Sequence, residues 1–103
     1  MLTKFTSKSN TPITDAMRER AVLKLSSIEK YFRNEETEMV ANILLDVYTD
    51  HQKVEVTINT PVGLLRAEVK APDYYSALDT VVDKLEDQIR RQKTRMSRKH
   101  RDS

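Results

Sequence analysis

Apolar residues recur at intervals of three or four from Asp15 to about Arg33, the spacing of an amphipathic helix with one buried face. Thr14 directly precedes this stretch and is a candidate N-cap, and the carboxylate of Asp15 favours the positive end of the helix dipole. The apolar face consists of Met17, Ala21, Leu25, Ile28 and Phe32. The pattern predicts a first helix that packs on an apolar surface and leaves Val22 and Leu23 partly exposed.

Beyond this helix, apolar and polar residues alternate in three runs, the pattern of strands with one buried and one solvent-facing side. The runs cover residues 41–48, 53–59 and 65–70, and the turn residues at 60–63 reverse the chain between the last two. Residues 1–6 include Leu2 and Phe5 and are a candidate for an additional strand at the start. Three consecutive strands of this kind form a meander whose apolar face needs a cover.

A second helix is predicted to begin after Pro72, where Asp73 is the candidate N-cap, and to reach about Arg98. Its apolar face consists of Leu78, Val81, Val82, Leu85 and Ile89, with Met96 as a further candidate. The order of elements therefore predicts an α+β fold, β-α-β-β-β-α, in which two helices pack on one face of a four-stranded sheet. The polar face of the sheet is expected to lie in solvent.

The composition limits the kind of protein that this chain can be. A length of 103 residues fits a single domain, expected over residues 1–98, with a basic C-terminal tail over residues 99–103. The absence of cysteine excludes disulfides, a thiolate nucleophile and the usual structural zinc sites. With no apolar run of signal-peptide or membrane-spanning length, a cytoplasmic protein without a membrane partner is expected.

Charge changes this picture, because it is unevenly distributed along the chain. Residues 1–89 contain 11 Lys/Arg and 15 Asp/Glu, a net charge of −4, whereas residues 90–103 contain seven Lys/Arg and one acid, a net charge of +6. A helix of roughly 25 residues spans about 37 Å, whereas a strand of about seven residues spans about 23 Å. The last turns of the second helix should therefore extend beyond the sheet as a cationic arm that suits a polyanionic partner.

Two alternatives to nucleic-acid binding remain for this basic segment. A few Lys/Arg at a helix end are ordinarily solvated and favour the negative end of the dipole. The segment, or the mixed-charge sheet face, would also suit docking on an acidic protein or on a second copy of the chain. Seven cations in twelve residues exceed what the first alternative requires, and Arg side chains can additionally stack on unpaired bases.

The other polar residues form no convincing site for catalysis or for a cofactor. Asp79, Asp83 and Asp87 lie four residues apart and would suit Mg²⁺, but Glu86–Arg90 and Asp87–Arg91 are ordinary i, i+4 ion pairs, which we favour. His51 and His100 have no plausible partners, and a single glycine cannot form a phosphate-binding loop. Tyr74 and Tyr75 open the second helix; one could stack on a base, but packing at the sheet edge is favoured. We expect no enzyme, metal site or cofactor.

Three segments carry a resemblance to a known family that covers essentially the whole chain. They are KLSSIEKYF near the end of the first helix, VEVTINTPVGLLRAEVKAPDYYSALDTVVDKLEDQIRRQ across the last strands and helix, and KTRMSRKHR at the end. With the element order, they resemble the ribosome hibernation-promoting factor family, which includes the ribosome-associated inhibitor A proteins. The resemblance implies a fold related to double-stranded RNA-binding domains and a role in stressed or stationary bacteria.

The resemblance also implies a partner and a mechanism. Proteins of this family occupy the decoding region of the small ribosomal subunit, against 16S-type ribosomal RNA, and so compete with messenger RNA and tRNA without any reaction. The RNA-binding residues expected here are Lys8, Arg20, Lys24, Lys84, Arg90, Arg91, Lys93, Arg95 and Arg98, and the basic arm adds Lys99 and Arg101. Homodimerisation is expected only if a further domain follows Ser103, as in long members of the family.

Two competing functions remain open at this point: a protein-interaction module, and an RNA chaperone that binds any RNA without preference. They differ from the first hypothesis in their response to salt and to competitors. If about six phosphates are neutralised, the logarithm of the affinity should fall with the logarithm of salt concentration with a slope on the order of −4 to −6. A protein partner would give a shallower slope and resist ribonuclease.

Overall fold

Four strands and two helices follow one another in the predicted order, so the β-α-β-β-β-α architecture is confirmed. The structure is a computed structural model that describes residues 1–33 and 38–101, with side chains described up to Thr94 in the last helix. The elements are β1 (Leu2–Ser7), α1 (Asp15–Glu29), a 3₁₀ turn (Lys30–Phe32), β2 (Val40–Val47), β3 (Gln52–Thr60), β4 (Gly63–Ala71) and α2 (Tyr74–Arg101).

The strands form one sheet in the order β1-β2-β3-β4. β1 and β2 run parallel because α1 crosses over between them, whereas β2–β3 and β3–β4 are antiparallel hairpin neighbours. The β3–β4 turn places Gly63 at a φ of 117°, which side chains rarely tolerate. In the same turn the Thr60 hydroxyl donates to the Gly63 carbonyl at 2.7 Å and accepts from the Val62 amide at 3.2 Å.

Alternate residues of the last three strands point into the core, as the period-two pattern predicts. The buried positions are Ala41, Ile43, Leu45, Val54, Val56, Ile58, Leu65, Ala67 and Val69. They form a single hydrophobic cluster with the buried faces of both helices, so the helices cover one face of the sheet and leave the other open. On the open face, Arg66 of β4 pairs with Glu55 of β3 at 3.0 Å, which lowers the pKa of the Glu55 carboxyl.

α1 begins as the sequence predicts and ends slightly earlier. The Thr14 hydroxyl accepts a hydrogen bond from the Met17 amide at 3.1 Å, which is an N-cap. Val22 and Leu23 are exposed, also as predicted. The α-helix stops at Glu29 rather than near Arg33, because its last turn tightens into the 3₁₀ turn, a common ending for a helix.

α2 begins at the predicted cap and ends slightly later. The Asp73 carboxylate accepts hydrogen bonds from the Ser76 hydroxyl at 2.7 Å and the Ser76 amide at 3.1 Å, which lowers the pKa of Asp73. The buried face consists of Tyr74, Ala77, Leu78, Val81, Val82, Leu85 and Ile89. The helix runs to Arg101, three residues beyond the expected end, and the Met96 side chain lies outside the described residues. The division into a domain over 1–98 and a tail over 99–103 stays a prediction.

Contacts between α1 and α2 show that the two helices run parallel. At their starts the Tyr74 hydroxyl donates to the Met17 carbonyl at 3.0 Å, and further along the Ser27 hydroxyl donates to the Glu86 carboxylate. Residues near the end of α1 thus contact residues further along α2, as expected for parallel helices. Because α2 has 28 residues and α1 only 15, α2 continues well beyond the end of α1. Both helices present their negative dipole ends in the same direction.

Candidate RNA-binding surface

The surface between the two helices brings several of the predicted RNA-binding residues into one row. From the helix starts toward their ends, the row contains Arg20 and Lys24 of α1, then Arg90 and Lys93 of α2. Lys24 contacts Asp79 across the helix–helix boundary, with 3.1 Å between Nζ and Oδ1. We call these four cations the interhelix row, and they form the largest group of described candidates on one surface.

Tyr31, at the end of the first helical segment, holds the far end of this row. Its hydroxyl accepts a hydrogen bond from the Arg90 guanidinium at 3.1 Å, and its carbonyl accepts one from the Lys93 ammonium. The Lys93 ammonium also lies 5.0 Å from the centre of the Phe32 ring, which is a cation–π distance. The last carbonyls of a helix favour such cations. These contacts position Arg90 and Lys93 at the point where α2 begins to extend beyond α1.

Sequence reasoning did not identify Tyr31 as part of this surface. A signal was available, because Tyr31 follows Lys24 by seven residues, which is two helical turns and therefore the same face of the helix predicted from Asp15 to about Arg33. Its partners Arg90 and Lys93 are about 60 positions away in the chain, so only the packing of the helices brings them together.

Lys84 and Arg91 lie on the opposite flank of α2, toward the edge strand β4. The side-chain amide of Gln88 marks this flank, because it donates a hydrogen bond to the Arg66 carbonyl of β4 at 2.9 Å. Lys84 is exposed there, and Arg91 is exposed and bonded to the Asp87 carboxylate. The structure therefore places Lys84 away from the interhelix row, whereas Arg91 shares the Asp87 carboxylate with Arg90 of the row.

Lys8 is separated from the cationic end of α2 by the length of the sheet. Its amide continues the β1–β2 ladder by donating to the Leu45 carbonyl at 2.9 Å, and its side chain is exposed. The other end of β1 lies beside the end of α1, where the Met1 amino group is 3.6 Å from the Glu29 carboxylate. Lys8 therefore lies near the helix starts, and any RNA that contacts both Lys8 and Arg90 must cover the whole domain.

The remaining predicted residues lie in the part of α2 that extends beyond α1. Arg95, Arg98, Lys99 and Arg101 belong to this helix by their backbone, but their side chains lie outside the described residues. This segment, Arg90–Arg101, contains seven Lys/Arg and no acid, and we call it the cationic extension.

Acidic side chains accompany the described cations up to the start of the extension. Arg90 lies 3.9 Å from Glu86 and 3.8 Å from Asp87, and Asp87 also bonds Arg91, so the predicted i, i+4 pairs are confirmed. Asp79 and Asp87 therefore both face cations, which favours the ion-pair interpretation of the acidic row. Such exposed pairs contribute little to stability, so an incoming phosphate can replace the carboxylate at small cost.

Comparison with known proteins identifies the family. Residues 4–97 match the sequence profile of the family described as Sigma 54 modulation protein / S30EA ribosomal protein. The chain belongs to this family. The Sigma 54 modulation / S30EA match covers nearly the whole chain, and the resemblance to ribosome hibernation-promoting factors stated from the sequence is confirmed by the relatives described next.

Two curated relatives in this family are ribosome hibernation promotion factors. The protein from Lactococcus lactis is 45% identical over 95 residues, which are 91% of this chain and 51% of that protein. The protein from Staphylococcus aureus is 40% identical over 94 residues, which are 90% of this chain and 49% of that protein. The chain thus spans about half the length of the curated relatives that it matches.

Solved structures of the same fold agree with this assignment. The N-terminal domain of Thermus thermophilus Protein Y has a TM-score of 0.78 and 33% identity, covering 88% of this chain and 98% of that domain. A ribosomal subunit interface protein from Coxiella burnetii has a TM-score of 0.78 at 24% identity, covering 91% of this chain and 99% of that one, which shows the shared fold alone.

The part of the chain that the structure describes contains neither a membrane-spanning helix nor a cluster of metal ligands. Within residues 1–33 and 38–101, neither helix has the length and apolar character that crossing a membrane requires. Within the described side chains, no three His, Asp or Glu residues lie close enough together to hold a metal ion. The expectation that the protein needs no metal or cofactor stays a prediction.

Proposed function

We propose that this chain binds the small ribosomal subunit, mainly through 16S-type ribosomal RNA, and silences translation by covering the sites of messenger RNA and tRNA. The observation that carries the proposal is the cationic extension of α2, which continues from the interhelix row held by Tyr31. The family supports the choice of partner, because two relatives at 40% identity or more are named for ribosome hibernation. We place this activity in the cytoplasm, where ribosomes work.

The proposed mechanism is steric and needs no catalysis. Lys/Arg side chains on two flanks of α2 and on α1 neutralise phosphates of several RNA segments, and the rigid helix pair holds a fixed volume against the subunit. Messenger RNA and tRNA cannot enter the volume that the protein fills. Because the Arg90 and Arg91 side chains remain exposed beside their acidic partners, a phosphate of a highly charged RNA can replace a carboxylate at small cost.

Cosedimentation of the purified chain with small subunits and with vacant ribosomes, at increasing salt, tests this function. We expect saturable one-to-one binding to the small subunit, loss of the protein when tRNA and messenger RNA are added, and a salt slope on the order of −4 to −6. Large subunits and an equal mass of transcribed 16S-type RNA fragments serve as controls. Binding in proportion to RNA length would instead indicate a nonspecific RNA chaperone.

A protein-interaction module remains the second candidate, supported by the mixed charge of the open sheet face, where Arg66 pairs with Glu55 and lies 3.9 Å from Glu68. Binding to ribosomes that survives ribonuclease and shows a shallow salt dependence would favour it. Self-association is tested by the sedimentation coefficient of the free protein, and homodimerisation is expected only where a further domain follows this one.

A further inference from the structure

A groove lies between the first half of α1 and the start of α2, at the opposite end of the helices from the cationic extension. It has a volume of about 350 Å³ and is lined by Ala16, Glu19, Arg20, Leu23 and Tyr75. This size falls within the range of ligand-binding pockets, roughly 300–1,000 Å³. Of its lining residues, only Arg20 belongs to the predicted RNA-binding set. None of the lining residues belongs to the hydrophobic core.

The two adjacent tyrosines at the start of α2 have different roles. Tyr74 is buried and donates its hydroxyl to the Met17 carbonyl at 3.0 Å, and burial raises its pKa to about 12. Tyr75 remains 39% exposed and meets the Tyr74 ring edge-to-face, with 5.3 Å between the ring centres. Tyr74 therefore anchors the helix and braces Tyr75, whose ring is presented to the groove without contributing to the core.

The other groove residues provide three different kinds of contact. The Arg20 guanidinium lies 5.6 Å from the centre of the Tyr75 ring, a cation–π distance. Leu23 is 66% exposed and forms an apolar wall. Glu19 adds a carboxylate, a hydrogen-bond acceptor, on the same groove. The groove thus combines a flat aromatic ring, an apolar wall, a cation and an acceptor.

This combination fits a nucleobase better than it fits a bare phosphate. Glu19 repels a phosphate, and Leu23 with Tyr75 offers it nothing, whereas a base has two flat faces that stack on aromatic rings and on guanidinium groups. A carboxylate accepts hydrogen bonds from exocyclic amino groups, which adenine, cytosine and guanine carry and uracil lacks. Lys24, one turn after Arg20 on α1, can contact the adjacent phosphate.

We propose that this groove binds one unpaired, amino-bearing base of RNA, stacked on Tyr75 and Arg20 against Leu23, with Glu19 accepting a hydrogen bond from its amino group. The inference rests on the proposed function, because it assigns a subsite for a single-stranded or bulged nucleotide at the end of the surface that would otherwise contact only phosphates. It makes one part of the interface sensitive to base identity.

The first experiment follows the Tyr75 ring resonances by NMR while the full chain is titrated with single-stranded oligonucleotides of about six residues. Oligo(A), oligo(C) and oligo(U) have the same backbone charge and differ in the base. We expect upfield shifts of the Tyr75 ring protons with oligo(A) and oligo(C) and weaker shifts with oligo(U). The absence of Tyr75 shifts at saturating oligo(A) would overturn the inference.

Substitutions then assign the effect to the groove. Tyr75→Ala should weaken oligo(A) binding roughly 5- to 100-fold, whereas Tyr75→Phe keeps the ring and should stay close to the parent. Glu19→Gln should reduce the preference for oligo(A) over oligo(U). Tyr48→Ala is the matched control, because Tyr48 is also exposed, at 43%, but lies on the β2–β3 turn stacked on His51. An equal loss in the Tyr48 and Tyr75 variants would refute the assignment.

Binding of the same variants to small subunits separates this inference from the proposed function. If the parent fails to bind subunits but oligo(A) still stacks on Tyr75, the function is wrong and the groove assignment stands. If Tyr75→Ala loses subunit binding while the parent shows no Tyr75 shift with any oligonucleotide, the groove contacts a ribosomal protein and the inference is overturned. Thermal unfolding of each variant excludes loss of the fold as the cause.

Discussion

The two parts of α2 use the same helical geometry for opposite purposes. From Tyr74 to Ile89 the helix buries seven apolar side chains against the sheet and α1, and it carries four acids outside this buried face. From Arg90 to Arg101 it carries seven cations and no acid, and it extends beyond the end of α1. The comparison teaches that the residues that stabilise the fold and the cations that we propose bind RNA occupy consecutive segments of one helix, so we expect that each property can be changed without the other.

Removing the residues after Thr94 should have the largest effect on affinity. The truncation deletes four of the seven cations of the extension, so affinity for small subunits should fall on the order of 1,000-fold at about 0.1 M salt, with a salt slope shallower by about 3 to 4. Stability should change little, because every buried residue of α2 in the described part precedes Arg90. Urea unfolding gives the check. A loss of more than about 1 kcal/mol would mean that Met96 packs on the core.

Leu85→Ala is the converse test, in the packed part of the helix. Leu85 is fully buried in the cluster shared by the sheet and both helices, so its truncation should lower the free energy of unfolding by about 3 kcal/mol. The affinity of the protein that remains folded should be unchanged, as measured by subunit cosedimentation well below the unfolding temperature. A large loss of affinity in fully folded protein would contradict the division of the helix into two parts.

Neutralising Arg90 and Arg91 together sharpens the comparison at the boundary between the two parts. Arg90→Gln with Arg91→Gln should weaken subunit binding roughly 100-fold and make the salt slope shallower by about 2, because two phosphate contacts are removed. The matched control is Lys4→Gln with Lys70→Gln, which removes the same charge from exposed positions on the open sheet face. Equal losses in both variants would show that net charge, rather than the position of the cations, determines affinity.

Acidification is the smallest effect, and it acts where the packed part of α2 begins. Hydrogen bonds from Ser76 lower the pKa of Asp73, and the bond from Arg66 lowers that of Glu55. Because each folded-state pKa lies below the unfolded one, both carboxylates stabilise the fold above about pH 4, and this contribution is lost as pH falls through the folded values. The stability of Asp73→Asn should therefore decline less than that of the parent between about pH 6 and about pH 3 in urea unfolding. Parallel declines would show that Asp73 has no such role.

Local patterns predicted the elements well because they depend on neighbouring residues. Thr14 and Asp73 cap the helices as expected, and the period-two alternation from Ala41 to Val69 matches the buried face of the sheet. The predicted ends of the helices were less accurate, because α1 is followed by a 3₁₀ turn and α2 continues to Arg101. The residue at which a helix ends depends on the balance between local hydrogen bonds and tertiary packing. The periodicity of apolar residues carries no information about this balance.

The candidate site was predicted as a set of residues, and its arrangement was not. Arg20, Lys24, Arg90 and Lys93 share one surface, and Arg91 shares the Asp87 carboxylate with Arg90. Lys84 lies toward the β4 edge, and Lys8 lies at the other end of the sheet. Whether these residues bind RNA stays a prediction. Spacing along a helix indicates which cations share a face of that helix, but it does not indicate what that face meets.

By itself the sequence determined the order of the elements, their buried faces, the separation of acidic and basic segments, and membership of the hibernation-promoting factor family. Only the tertiary structure decided that the helices run parallel, that Tyr31 holds Arg90 and Lys93, and that Arg20 meets Tyr75 beside an open groove. The physical reason is distance along the chain. Caps and periodicities arise within a few residues, whereas these contacts join residues 55 to 62 positions apart and exist only when both helices have packed on the sheet.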